Sequence, residues 1–325
     1  MMRDEQLLAL LTERPGEYIS GEEISRRMAV SRTAVWKGIN RLKEQGYEFE
    51  SVTRKGYRIT RYPDRFDEVS LRMRLGEVTS WGEPLHLFPS IGSTQDIART
   101  LAEQGAPEGT LVIAEEQTKG RGRQGRHWHS PPGRGIWMSL IMRPVQPLQY
   151  TPQLTLLAAV AVCRALRSVS SLNIGIKWPN DLLIDGRKVC GILVESAAED
   201  GYVRHAIAGI GIDVNLATED LPEELQSIAT SLRMESGGEP LDRTVVVAAV
   251  VQELEAMYRL YSEQGFAAIA ALWEALAFSM GQHLTVHTPQ GVINGTATGL
   301  GSNGELLLQQ EDGTILPVYS GEINL

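Results

Sequence analysis

The sequence predicts an α+β protein built in three parts. Three observations carry this. The first sixty residues alternate capped amphipathic helices with one short hairpin. The middle of the chain mixes apolar strand runs with long helices. From about residue 280 only short strands and glycine turns remain. At 325 residues the chain is long for a single domain. We expect boundaries at 1–62, 63–80 (a connector), 81–278 and 279–325.

In the first part, MMRDEQLLALLTERPG has acids beside a short apolar run, which reads as an amphipathic helix and not a signal peptide. Ser20 caps a second helix with Glu23 at the capping-box position, and Ile24 and Met28 form its apolar face. After the turn Met28-Ala29-Val30, Ser31 caps a third helix whose core face is Val35, Ile39 and Leu42, ending at Gly46. YEFESVTRKGYRIT then reads as two strands about a basic tip. This is a helix-turn-helix with a wing. Ser31, Arg32, Thr33 and Lys37 lie early on the third helix, and Arg54 and Lys55 on the wing, where base and phosphate contacts are made. The charge agrees. The segment to residue 62 has 12 Lys and Arg against 9 Asp and Glu, in a chain of net charge −9. Only this segment tolerates a polyanion.

The connector holds an amphipathic helix around Phe66 to Leu75. In the middle part, GTLVIAEEQ, NIGIKWPNDLLIDGRKVCGILVES (with a turn at Asp185-Gly186) and YVRHAIAGIGIDVNL read as strands. TPQLTLLAAVAVCRALRSVS is a helix with Thr151 as cap and Pro152 at its first position, and Asp242 caps a second long helix. The tail strands HLTVHT, GVINGTATGL, ELLLQQ and TILPVY suggest a small β-barrel. Cys163 and Cys190 lie in apolar segments and read as core thiols of a reducing compartment. With no apolar run long enough for a membrane span, the expectation is a cytoplasmic protein without a membrane partner.

The chemistry concentrates between Gln117 and Asn180, where nine Lys and Arg occur and no Asp or Glu. Its densest stretch, KGRGRQGRHWH, suggests a loop for a small anion, with glycines that let backbone N–H groups approach it. Gly120, Gly122 and Gly125 formally match a dinucleotide fingerprint. That reading fails because His127-Trp128-His129-Ser130-Pro131-Pro132 cannot open a helix and no acid follows at ribose distance. His127 and His129, with no third ligand, do not make a metal site, and none is expected. Further on, KWPNDLLIDGRK places Lys188 at the start of an apolar strand, where it can hold a carboxylate against a phosphate while they react.

GRGRQGR followed by Trp, KWPNDL with a downstream GRK, and GILVE together resemble the biotin protein ligases. The helix-turn-helix in front is similar to that of the bifunctional members, which also repress biotin-synthesis genes. The resemblance runs along nearly the whole chain. It implies a central ligase domain of the class II synthetase-like type and an SH3-like terminal barrel. It implies biotin and MgATP as substrates, biotinyl-5′-AMP as intermediate and corepressor, the biotin carboxyl carrier protein of acetyl-CoA carboxylase as acceptor, operator DNA, and a homodimer.

Carried onto this sequence, the biotin contacts fall on Ser93, Thr94, Gln95, Gln117, Arg121, Gly122, Arg123, Lys188 and Gly191. The nucleotide contacts fall on Arg123, Arg126, Trp128, Asn180, Lys188 and Asn215, and the catalytic set is Lys188, Arg121, Arg123 and Asp181. Gln95 replaces the common Asn, and Asp213 in GIGIDVN places a carboxyl where Asn is common. No aromatic residue lies between Gly211 and Arg233, so an adenine platform from that loop must be aliphatic, Leu221 or Ile228. Two rivals are a ligand-sensing repressor without catalysis and a ligase whose N-terminal module docks protein. Arg121, Arg123 and Lys188 speak against the first, and the basic third helix and wing against the second.

Overall fold

A computed structural model describes residues 4–12, 16–44, 46–52, 55–61 and 65–324. The chain folds as two compact units, Met1–Glu77 and Val78–Leu325.

In the first unit, helices α1 (Asp4–Thr12), α2 (Gly21–Arg27) and α3 (Arg32–Glu44) precede the hairpin β1 (Glu48–Val52) and β2 (Gly56–Arg61). Leu7, Leu8, Leu10 and Leu11 of α1 meet Ile24 of α2 and Val35, Ile39 and Leu42 of α3 in one core. Both expected caps form: Glu23 N–H donates to Ser20 Oγ at 3.1 Å and Ala34 N–H to Ser31 Oγ at 3.2 Å. Ile19 pairs with Tyr57 through two backbone bonds of 2.9 Å, adding a third short edge to the hairpin. Gly56 is required there: its φ is +111°, and a Cβ would stand 2.0 Å from the Ile19 carbonyl oxygen. Helix α4 (Glu68–Val78) follows, with Leu71 and Leu75 buried.

The second unit is built on a seven-stranded sheet. Its strands are β3 (Leu85–Phe88), β4 (Leu111–Ala114), β5 (Ile136–Met142), β6 (Gly175–Lys177), β7 (Asp181–Ile184), β8 (Arg187–Glu199) and β9 (Tyr202–Ile212), in the order β3-β4-β5-β9-β8-β7-β6. Only β3 and β4 run parallel. Helix α5 (Thr94–Glu103) packs Ala98 and Ala102 on Val112, Ile141 and Ile207. The four-residue helix α7 (Leu232–Glu235) is followed by α8 (Arg243–Gln264), and the long helices α6 (Thr151–Ser170) and α8 pack on one another and on α9 (Phe266–Leu276).

Two expectations for α6 need correction. The helix starts at Thr151 itself, with Tyr150 in the capping position, and the Thr151 hydroxyl donates back to the Leu148 carbonyl at 2.8 Å. The segment Leu148–Ser170 is also long and apolar enough to span a membrane by length and composition. Its apolar side chains are instead buried in the protein, which is why it lacks the charged stripe of a surface helix.

The tail strands β10 (His283–Thr288), β11 (Gly291–Leu300), β12 (Leu306–Gln309), β13 (Ile315–Val318) and β14 (Glu322–Asn324) form an antiparallel sheet ordered β13-β12-β11-β10-β14, as an SH3-like fold requires. Gln153 Nε2 of α6 donates to the Ser302 carbonyl at 2.7 Å, and Leu300 N–H donates to Glu274 of α9 at 2.9 Å.

Leu157 of α6 is fully buried. Leu157→Ala should cost about 2–5 kcal/mol of stability, read as a lower urea midpoint with unchanged slope.

Candidate active site

The alternation of strands decides the site. On β5 and β9, Ser139, Ile141, Ile207, Gly209 and Gly211 share the sheet face that α5 covers. Beyond the end of α5 this face carries glycine, and a cavity of about 470 Å³ opens there. Gly191, Ile192 and Leu193 supply an apolar wall.

A bulge brings Lys188 to the same cavity. Lys188 and Gly191 are three residues apart, so a regular pleat would place them on opposite faces. On β7, Leu182 pairs with Cys190 but Leu183 pairs with Lys188, which leaves Val189 as the extra residue. The slip turns Lys188 inward, and its Cε lies 3.3 Å from where a Gly191 side chain would begin. Lys188 Nζ is 2.7 Å from Asp181 Oδ1 and 5.1 Å from the Trp128 ring. The approach to Asp181 is an ion pair without hydrogen-bond alignment, which leaves the ammonium free to turn toward another anion.

The glycine-rich loop borders the other side and makes only a short 3₁₀ turn at Arg123–Gly125, with no helix following, as the sequence required. Each of its arginines has a side-chain partner elsewhere in the chain. Arg121 donates two bonds to Asp96, of 2.7 and 3.2 Å. Arg123 Nη1 donates to Asn180 Oδ1 at 3.1 Å, and burial lowers its affinity for the proton against the pull of Asp181 and Glu322. Arg126 pairs with Glu322 of β14. Trp128 lies across the sheet glycines: a Cβ would stand 2.4 Å from its indole at Gly211 and 2.7 Å at Gly191.

At the floor, Ser93, Thr94 and Gln95 open α5 and are buried. Gln117 Oε1 accepts from Thr94 N–H at 2.9 Å, and its Nε2 donates to Ser130 at 3.1 Å. Gln95 fits without strain despite its extra methylene. Its amide accepts from Ser139 Oγ at 3.0 Å and donates to the Ile207 carbonyl at 3.2 Å, using the room at Gly209.

The sequence-derived residues Ser93, Thr94, Gln95, Gln117, Arg121, Gly122, Arg123, Arg126, Trp128, Asn180, Asp181, Lys188 and Gly191 thus border one cavity. Asn215 does not. Its amide closes a backbone pair with Leu241, donating and accepting at 2.9 Å. Of the two aliphatic candidates, Leu221 is buried against Trp137 and Leu216, whereas Ile228 is 58% exposed and borders the cavity. Asp213 is buried behind Lys188, and burial holds its carboxyl well above the usual range, with Lys188 opposing. Burial likewise pushes the Cys163 thiol up to about 11 and Cys190 higher than its ordinary value. Ser139 and Glu322 border the cavity and Asp96 holds Arg121, but no motif announced them; they come from a strand interior, a three-residue strand and a helix start.

In the first unit, Ser31, Arg32, Thr33 and Lys37 are exposed at the start of α3, and Lys55 is exposed at the hairpin tip. Arg54 lies outside the described residues.

A raised carboxyl stabilises the fold below its unfolded value and loses that contribution as pH rises through its folded value. Asp213→Asn should therefore gain stability over the parent as pH climbs from about 4 toward neutrality. Urea midpoints measured across that window check this, and parallel curves would rule it out.

The comparisons with known proteins agree with this geometry. Residues 87–213 match the Biotin/lipoate A/B protein ligase family, residues 3–58 an HTH domain, and residues 280–325 the Biotin protein ligase C terminal domain. The chain is 47% identical over 98% of its length to the bifunctional ligase/repressor BirA of Bacillus spizizenii, of which the match covers 97%. It is 32% identical over 98% of its length to the protein of that name from Escherichia coli, covering 96% of it. The solved biotin protein ligase from Aquifex aeolicus, in complex with biotin and ATP, superposes with a TM-score of 0.63 at 31% identity, over 74% of this chain and 98% of that one. The chain belongs to the biotin protein ligase family, with the domain set of its bifunctional ligase/repressor members.

Proposed function

We infer that this chain is an ATP-dependent biotin protein ligase and a biotin-responsive transcriptional repressor of biotin genes. The observation that carries the reading is the convergence of Lys188, Arg121, Arg123 and Arg126 on one apolar-walled cavity. Two anions, a carboxylate and a triphosphate, repel one another, and preorganised cations lower that barrier.

In the first step a biotin carboxylate oxygen attacks the α-phosphorus of MgATP, and pyrophosphate leaves. In the second, the ε-amine of a lysine on the biotin carboxyl carrier protein of acetyl-CoA carboxylase attacks the acyl carbon. AMP departs, and the amine gives up its proton. Biotin would sit with its rings against Gly191 to Leu193 and its ureido group toward Ser93 and Gln117. Gln95 would shape that end of the cavity. Arg121, Arg123 and Lys188 would exchange their internal partners for the carboxylate and α-phosphate. Trp128 and Ile228 would cover the adenine, with Arg126 and Asn180 toward the phosphates. Asp181 would take Lys188 back, or orient the incoming amine. The glycines allow the loop to close over a reactive anhydride and reopen for the carrier.

We assign residues 1–62 to DNA binding, 63–80 to a connector, 81–278 to catalysis and 279–325 to the terminal domain. We assign the protein to the cytoplasm, a reading supported by its similarity to repressors that act on DNA. The repressor would be a homodimer joined through the catalytic domain. Val145, 99% exposed, lies beside exposed Leu148 and Tyr202, gathered by the Pro147–Tyr202 bridge and a 3.0 Å bond from Leu148 N–H to Gly201.

Lys188→Ala should reduce biotin-dependent pyrophosphate exchange by about 100-fold while leaving the urea midpoint intact; near-parental exchange would sink the assignment. For repression, adenylate and DNA should tighten one another by the same factor. With biotin and ATP, the full chain should bind operator more tightly at fixed salt. A chain beginning at Pro63 should ligate biotin without binding operator. Operator affinity indifferent to adenylate would refute the switch and leave the ligase reading standing.

A further inference from the structure

We propose that Trp36 is a base-reading residue of the first unit, and that its indole recognises thymine by its 5-methyl group in the major groove. The proposal rests on the repressor reading above and goes beyond it, because that reading names no residue that would recognise a thymine.

Five of the protein's six tryptophans are inside or partly inside the fold, and Trp36 is 56% exposed. Its position on α3 explains why. The inward face of the helix is Val35, Gly38, Ile39 and Leu42. Trp36 stands on the outward face, one turn from Arg32 and within a turn of Thr33, with Lys37 beside it. Among the described residues of this unit it is the only large apolar side chain so exposed.

A protein-docking face would gather several apolar side chains, because an interface core is apolar and depleted in charge. Here a single exposed indole stands among Arg32, Thr33 and Lys37 on the helix, and the hairpin tip carries exposed Lys55. That combination is complementary to a polyanion carrying isolated apolar groups. The major groove of DNA is such a surface, and its one apolar group is the thymine methyl. Arg32 is held by exposed Glu22 at 2.9 Å, a weak pair that phosphate can displace. The lysines and arginines would then fix the helix on the backbone, while Trp36 supplies discrimination.

The test uses the full chain with biotin and MgATP, and a duplex recovered by it from a random-sequence pool. Trp36→Ala should bind this duplex about tenfold more weakly, bind an unselected duplex as before, and keep the same salt dependence. Biotin ligation should be unchanged. Replacing thymines of the selected half-site one at a time by deoxyuridine removes only the methyl. At one or two positions this should weaken the parent several-fold and the Trp36→Ala variant not at all. Trp36→Phe should recover part of the discrimination. Equal losses on selected and unselected duplexes, or deoxyuridine effects that persist in Trp36→Ala, would overturn the assignment while leaving the repressor reading in place. Recovery of no duplex by the parent chain would overturn both.

Discussion

Four cations are held around one apolar-walled cavity by partners within the chain, and the proposed chemistry depends on that arrangement. Arg121 rests on Asp96, Arg126 on Glu322, Arg123 on Asn180 and Lys188 on Asp181. The Arg123 contact is a hydrogen bond to a neutral amide, and the other three are partly exposed ion pairs, each worth about 0–1 kcal/mol. They are strong enough to position a side chain and weak enough to give it up to a carboxylate or phosphate. The partners come from α5, β14, β7 and the turn before β7, so the loop is tied to the scaffold by side chains and not by its own backbone structure.

The scaffold makes room for this by leaving side chains out. Gly191, Gly209 and Gly211 lie where strands β8 and β9 cross the cavity, and each is already approached by Trp128 or Gln95. A sheet normally gains little from glycine, which packs nothing and costs chain entropy. Here the missing Cβ atoms provide the floor on which an aromatic ring and an amide lie flat. Burial raises the Asp213 carboxyl and the Cys163 and Cys190 thiols above their ordinary values, so charge on them is disfavoured.

The N-terminal unit follows a different rule. Its core is a small set of leucines and isoleucines with one valine and Tyr47, and its outward helix face carries charge with a single indole. Positive charge gives affinity for any DNA, and the proposed thymine contact would add discrimination to it. Coupling between this unit and the catalytic one requires only that ligand at the cavity and DNA at the helix favour the same assembly.

The sequence by itself determined a good deal. The caps at Ser20, Ser31 and Asp242 are local and were readable because each places a side-chain oxygen three or fewer residues from the N–H it serves. The loop motif, the acid-free stretch and KWPND named most of the cavity's border, since they carry chemistry that packing does not demand. Strands β3, β5 and β14 and helices α5 and α9 had no such punctuation. Asn215 read as a nucleotide contact from its place in a motif, but folding turned its amide to Leu241. The face on which Lys188 lies was settled only in three dimensions. Alternation along β8 sets it opposite Gly191; the bulge at Val189 reverses that, and a bulge arises from pairing between strands, which no single strand's sequence records.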